Sequence, residues 1–373
     1  MRNSLDRIKP QVRALRAYSL SPHSARVKIN QNENPWDAPA RIKEDTLRRL
    51  AMRKWSRYPD FVPDSLHARL AGFSGWQTDG IIAGNGSNEL IQALLMVTVG
   101  PGSRVLISEP TFALYRQIST VLGGEVISVP LTAELSYDFY ALQKAVSDLQ
   151  PDVTIVCSPN NPTGCVLSDE NLRALLKSTS GLVVVDEAYH EFAEHSVVPL
   201  LRHYENLVVL RTFSKAMAMA ALRIGYLLAA PDLASEISKA VLPYNLNAVS
   251  QTAAEVAVEL YEDELRPLVR KIITERERLY GELGRIAGLT PVRSLANFMV
   301  VQSSIDPKRV FAELIKRDIL IRDVSGYPML SGYFRLSVGT PEENDLLLSA
   351  LHEIFSARGG NEPKGLTKRC LSR

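Results

Sequence analysis

Residues 181–192 read GLVVVDEAYHEF. Leu182 and the three valines after it make an unbroken apolar, β-branched run, the pattern of a strand buried on both faces. Such strands belong to parallel sheets covered by helices on each side. This one ends in two acids, Asp186 and Glu187, where turn residues are the ordinary ending. A carboxylate at the edge of a core is costly unless a positive group meets it. Fold and chemistry both turn on which cation faces this strand end.

Outward from this strand, short apolar runs alternate with helical patterns. IIAG at 81–84 leads into Leu90, Ile91, Leu94 and Leu95 on one helical stripe, and RVLI at 104–107 precedes a helix over 112–121. VTIVC at 153–157 precedes a helix over 172–176, and NLVVL at 206–210 and IGYLLA at 224–229 follow. The alternation predicts an α/β fold, with a large domain over residues 50–260 built on a mostly parallel sheet. Residues 261–288 read as a long charged helix. Beyond it, NFMVVQ at 297–302 and YFRLSV at 333–338 read as strands. Asp306-Pro307 opens a helix carrying Val310, Phe311, Leu314 and Ile315, and Thr340-Pro341-Glu342-Glu343 is a capping box. These predict a smaller α+β domain over 261–357, joined by an N-terminal arm over 1–49, with 358–373 as a frayed tail. A cleft between two domains is a common place for a small-molecule site.

Composition sets bounds on function. With 373 residues, 46% of them hydrophobic and 23% charged, the chain has enough material for a large core or two domains. A net charge of +2 gives no global reason to expect nucleic acid or an anionic membrane, and no apolar run approaches a membrane span. Three cysteines are too few for a disulfide framework and fit a reducing, cytoplasmic compartment. The Arg-rich start, MRNSLDRIKPQVRALRAYSL, lacks the apolar core of a secretory signal. It carries an acid and is not Ser-rich, so it reads as an arm of the mature protein and not as a transit peptide.

Ligands of open α/β sheets sit beyond the carboxyl ends of the strands, so the residues after each strand carry the chemistry. After IIAG, in NGSNEL, Gly86 and Ser87 open a helix whose free N–H groups and dipole favour an anion. Glycines there are also ordinary turn residues, and neither GxxxxGK[ST] nor GxGxxG is present. After VTIVC comes SPNNPTG at 158–164, where a turn explains the prolines and Asn161 but gives no reason for two adjacent amides. After NLVVL comes RTFSKAMAMAALRIGY at 211–226. Lys215 there either snorkels to solvent or is desolvated into a nucleophilic amine, with Ser214 and Arg223 beside it to bind an anion. Pyridoxal 5'-phosphate needs all of these at once: a lysine for a Schiff base, an acid at the pyridine nitrogen, and cations and N–H groups for the phosphate. Asp186 then faces a pyridinium, an opposite charge of the kind that moves a pKa by about 1–3 units. Glu187 points the other way and reads as structural.

In this order, NGS, SPNNPTG, DEAY, SK and R-x-GY resemble the fold-type I, class I/II aminotransferases. NQNENPW at 30–36, RYPD at 57–60, LPYNLN at 242–247, NFMVV at 297–301 and GYFRLSVGTPEEN at 332–344 are similar to the histidinol-phosphate aminotransferases. The resemblance runs from about residue 18 to the last helix. It implies that Lys215 carries the Schiff base and shuttles a proton, that Asp186 pairs with the pyridine nitrogen, and that Asn161 and Tyr189 hydrogen-bond the ring hydroxyl. It implies that Gly86, Ser87, Ser214 and Arg223 hold the phosphate and that Phe112 stacks on the ring, where many relatives have Tyr. It further implies a homodimer in which Tyr58 reaches the phosphate of the neighbouring subunit. Arg322 and Arg335 resemble clamps for substrate carboxylate or phosphate, which guanidinium forks suit, and Tyr18 and Asn32 resemble pocket-lining residues. The implied reaction is transamination between histidinol phosphate and 2-oxoglutarate, run by small-molecule substrates with no metal.

The sequence also departs from the pattern. AMAMAAL lacks the glycines common after the lysine, Trp36 stands where Tyr is frequent, and Asn88 where Asp is frequent. An aromatic amino-acid aminotransferase and a threonine-phosphate decarboxylase stay open as alternatives. A non-catalytic binding protein would have no need of both Lys215 and Asp186, and a nucleotide-dependent oxidoreductase would need the missing glycine fingerprint. His190 and His195, five apart, do not make HExxH, and no GxSxG elbow is present.

Overall fold

The computed structural model describes residues 4–17 and 23–356; Tyr18 and the tail at 358–373 lie outside them. The strands, in chain order, are β1 (Val27–Lys28), β2 (Ile81–Gly84), β3 (Arg104–Glu109), β4 (Glu125–Pro130), β5 (Val153–Cys157), β6 (Leu182–Asp186), β7 (Leu207–Thr212), β8 (Gly225–Leu228), β9 (Leu289–Pro291), β10 (Phe298–Ser303), β11 (Ile319–Leu320), β12 (Arg322–Asp323) and β13 (Tyr333–Ser337). The large sheet runs β2-β8-β7-β6-β5-β3-β4, so the valine strand is its centre. Val183 and Val185 enter one apolar cluster and Val184 the other, which is why β6 shows no polar alternation. In β7, Leu207 and Val209 likewise face one cluster, and Val208 and Leu210 the other.

The sheet is parallel from β7 through β4, while β8 runs antiparallel to both neighbours. The chain between β7 and β8 holds only the short turn Ala220–Leu222 and no crossover helix, so a reversed strand is the geometry available. That reversal brings Arg223, just before β8, to the edge where β6 and β7 end. The edge strand β4 goes unread in the sequence because it is bounded by a charge and a proline and only Val129 of it is buried.

A second, antiparallel sheet runs β12-β13-β10-β9. Helices Pro307–Ile315 and Pro341–Ser356 pack on it, with Val310, Leu314, Leu347 and Leu351 joining Met299, Val301, Phe334 and Leu336. Both helix starts follow the sequence. The Asp306 carboxylate accepts from Lys308 N, Thr340 Oγ1 accepts from Glu343 N at 3.2 Å, and Glu343 Oε2 accepts from Thr340 N at 2.9 Å. The arm adds β1 in parallel to β11, and Val27 and Ile29 are buried in this second core.

The expected boundary between residues 49 and 50 falls inside helix Ala40–Ala51, whose Ile42 and Leu50 face inward, Ile42 joining the core of the large sheet. That helix packs on helix Ala248–Glu259. The expected change at residue 261 meets a π-helical turn, Tyr261–Leu265, still packed on the large core. Helix Arg266–Gly284 then carries Leu279 and Leu283 into the second core.

Candidate active site

The carboxyl ends of β5, β6 and β7 open into a cavity of about 470 Å³ whose lining includes Lys215, Asp186, Tyr189, Asn161, Ser87, Ser214, Arg223, Phe112, Arg322, Arg335 and Asn32. Topology gathers them: β5 leads to Asn161, β6 to Asp186 and Tyr189, β7 to Ser214 and Lys215, the turn before β8 to Arg223, and the second sheet supplies Arg322 and Arg335.

Asp186 is 3% exposed. Its Oδ2 accepts from the Tyr115 hydroxyl at 2.6 Å and its Oδ1 from Ala188 N at 3.0 Å. Burial pushes its pKa up, against these two bonds. Glu187, the next residue, points to the opposite side and finds its own cation: Arg211 Nε donates to Oε2 at 3.0 Å, Ser196 donates at 2.9 Å and Val197 N at 2.6 Å. Burial raises the Glu187 pKa, but Arg211 and these donors outweigh it and the net shift is down. The two acids that end β6 therefore divide into a salt-bridged structural one and one facing the cavity. Arg211 as the partner of Glu187 is missed in the sequence, since only strand register brings them together.

Lys215 Nζ donates to the Gln31 carbonyl at 3.0 Å and lies 5.8 Å from the Tyr189 ring centroid. Burial, with the charges of Arg335 and Arg223, pulls its pKa down to about 7. In the segment after it, Ala218 adopts φ 55°, a left-handed conformation at a non-glycine residue. The lack of glycine in AMAMAAL thus does not prevent the turn.

The two asparagines of SPNNPTG divide their work. Asn160 is fully buried and structural: it donates to Pro110 O and Thr163 Oγ1 and accepts from Thr111 Oγ1. Asn161 faces the cavity, donating to the Tyr189 hydroxyl at 3.4 Å and accepting from Arg335 Nη1 at 2.6 Å. Asn32, expected as pocket lining, is 1% exposed; it donates to Tyr189 OH at 3.1 Å and is tied to Ser337 through its backbone N–H and its Oδ1. It orients Tyr189. Burial raises the Tyr189 pKa, so the phenol is neutral in this setting.

Helix Gly86–Thr98 begins without a side-chain cap, because Asn85 donates instead to Asn245 O at 2.6 Å. Its free N–H groups meet Arg223, whose Nη1 donates to Ser214 Oγ at 3.1 Å. Gly86 sits at φ 73°, and a Cβ there would lie 2.6 Å from Arg223 Nη2. This corner fits a phosphate group: a guanidinium, hydroxyls, an uncapped helix start and space kept by glycine. Arg322 and Arg335 are opposite each other on β12 and β13. Arg335, 7% exposed, donates to Asn30 O at 2.8 Å and lies 5.2 Å from the Phe298 ring centroid. Gln31, Glu33, Tyr115 and Tyr327 also line the cavity and were not singled out in the sequence. The first two lie within NQNENPW, where the motif itself was the available signal.

Tyr58 stands outside this cavity, 80% exposed and stacked on Tyr244 at 4.6 Å between ring centroids. Asn88 lines the cavity, whereas Trp36 packs at its margin beside Lys271. His190 bonds the Glu187 carbonyl at 2.9 Å and the exposed His195 faces Asp169. Among the described residues no group of His, Cys, Asp and Glu could hold a metal ion, and no helix is long and apolar enough to cross a membrane.

A cavity at the carboxyl edge of a largely parallel sheet, with a lysine, an acid and an anion corner, defines a class of protein, and sequence comparison agrees. The aminotransferase class I and II family matches residues 25–351, and the chain belongs to that family. More narrowly, it is 41% identical to histidinol-phosphate aminotransferase 1 of Carboxydothermus hydrogenoformans, over 90% of this chain and 95% of that one. It is 37% identical to the histidinol-phosphate aminotransferase of Chlorobium phaeovibrioides, over 93% and 96%. Its structure is similar to that of the histidinol-phosphate aminotransferase from Sinorhizobium meliloti in complex with pyridoxal-5'-phosphate, with a TM-score of 0.84, 25% identity, and 94% and 98% of the two chains covered.

Proposed function

We propose that this protein is a pyridoxal-phosphate-dependent transaminase that passes the amino group between histidinol phosphate and 2-oxoglutarate, in histidine biosynthesis. The observation that carries the reading is one cavity that brings together Lys215, its pKa drawn down to about 7, the buried carboxylate of Asp186 and the anion corner of Ser214 and Arg223. Bound there, pyridoxal phosphate supplies a carbonyl for amine capture and a ring that withdraws electrons. Lys215, part free amine at neutral pH, would hold the cofactor through its carbonyl carbon, with loss of water, and would carry a proton to and from the substrate carbon. Asp186 keeps a proton on the ring nitrogen. Tyr189 and Asn161, held by Asn32 and Arg335, grip the ring hydroxyl, and Phe112 covers the ring face. Gly86, Ser87, Ser214 and Arg223 bind the phosphate. Arg322 and Arg335 take the second carboxylate of glutamate or the phosphate of histidinol phosphate, since a guanidinium fork suits both. Tyr18 belongs to this proposal as a pocket residue.

The working unit in this reading is a homodimer. Trp55, Tyr58, Phe61, Leu242 and Tyr244 leave a linked aromatic and apolar face exposed, and a second copy that covers it brings Tyr58 to the phosphate corner. We place the arm before helix Ala40–Ala51, the large domain from there to the π-helical turn, and the small domain after it. A cytoplasmic location is part of the proposal, supported by the free thiols of Cys157 and Cys165.

The test is a half-reaction. Added singly to the yellow reconstituted enzyme, histidinol phosphate and glutamate are expected to bleach it and phenylalanine to leave it coloured. Bleaching by phenylalanine with no response to histidinol phosphate would overturn the substrate reading in favour of an aromatic aminotransferase.

A further inference from the structure

Tyr115 has no part in the function argued so far, yet it is completely buried in helix Leu114–Leu122 with its hydroxyl 2.6 Å from Asp186 Oδ2. We propose that Tyr115 is a positioning residue for Asp186, its donated hydroxyl keeping that carboxylate ionised and aimed at the ring nitrogen of the cofactor. The inference rests on the reading of Asp186 as the partner of that nitrogen.

Desolvation is the largest influence on Asp186 and favours the neutral acid, which would compete for the proton the ring nitrogen must hold. Two donors act against it from the protein side, Tyr115 on Oδ2 and Ala188 N on Oδ1, and together they set the carboxylate plane. The other titratable groups around it do not substitute for Tyr115. Cys157 stands beside Asp186 in strand register with its pKa raised by burial, and Tyr137 donates its hydroxyl to the Cys157 carbonyl. Glu187 repels, Tyr189 is committed to Asn32 and Asn161, and Lys215, whose charge also favours the carboxylate, gives its hydrogen bond to Gln31 O and not to Asp186. Tyr115 also meets Phe112 edge to face, ring centroids 5.5 Å apart, so one helix start sets both the ring-covering residue and the support of the acid.

The experiment compares binding of pyridoxal phosphate, and of a carba analogue whose ring nitrogen is replaced by carbon, to four apoproteins: wild type, Tyr115→Phe, Asp186→Ala and the double variant. Loss of a hydrogen bond to a charged group predicts a Kd for pyridoxal phosphate roughly tenfold or more higher in Tyr115→Phe. The carba analogue should bind Tyr115→Phe like wild type, which also serves as the folding control. In the Asp186→Ala background, Tyr115→Phe should add nothing further. Wild-type affinity in Tyr115→Phe, an equal loss for both ligands, or a full additional loss in the double variant would each overturn the proposal. Failure of the underlying reading looks different: Asp186→Ala would then bind both ligands as wild type does.

Discussion

Asp186 and Glu187 are adjacent, both carboxylates and both buried, yet they meet opposite partners because successive residues of a strand face opposite sides of the sheet. Glu187 is held by Arg211 within the protein. Arg211→Ala leaves that carboxylate without its cation and is expected to cost about 3–5 kcal/mol in urea unfolding. Replacing both, as Glu187→Gln with Arg211→Met, should cost less, because no lone charge remains buried. Lys215 permits a second prediction at this scale. Only the free amine attacks a carbonyl, and a pKa of about 7 means the free fraction grows with pH and saturates just above neutrality. The rate at which the apoprotein captures pyridoxal phosphate should therefore rise through about pH 7 and level off, whereas an ordinary lysine would keep gaining toward its pKa of about 10.4. Stopped-flow absorbance across pH distinguishes the two profiles.

The elements were legible to different degrees, each for a local reason. β5, β6 and β7 are buried on both faces and could be read as continuous apolar runs, and the capping box at Thr340 could be read because its partners are three residues apart. β4 could not, because only Val129 of its residues is buried and no apolar face stands out, and the reversed direction of β8 leaves no mark on its own residues. The paired amides of SPNNPTG were visible as an oddity, but which one faces the cavity depends on Pro110 and Thr111, far away in sequence. The contact between elements that most tightly shapes the anion corner is at Gly225, where a Cβ would lie 2.4 Å from Ser87 N and 2.6 Å from Gly86 C. Gly225→Ala must push β8 away from the start of helix Gly86–Thr98, with an expected cost of about 1–3 kcal/mol. Its Kd for pyridoxal phosphate should rise as well, measured beside Gly100→Ala, where a Cβ meets open space.

At the scale of the whole molecule, the proposal of shared sites predicts complementation. Lys215→Ala and Tyr58→Ala should each be nearly inactive alone. Mixed and exchanged, they form hybrid dimers in which one site combines an intact Lys215 with Tyr58 from the other copy, so part of the turnover should return. If Tyr58 served its own chain, no hybrid would regain activity. The amino-acid order by itself determined the α/β class, the central strands, the starts of helices Pro307–Ile315 and Pro341–Ser356, the family and the chemical kinds of residue at the site, because periodicity, caps and motif spacing are properties of short stretches. Only the tertiary structure decided that Arg211 neutralises Glu187, that Asn32 orients Tyr189 and that Tyr115 supports Asp186. Each pairing joins residues distant in the chain, and the register of strands and packing of helices that bring them within hydrogen-bond reach is settled by burial of the whole core and not by any local run.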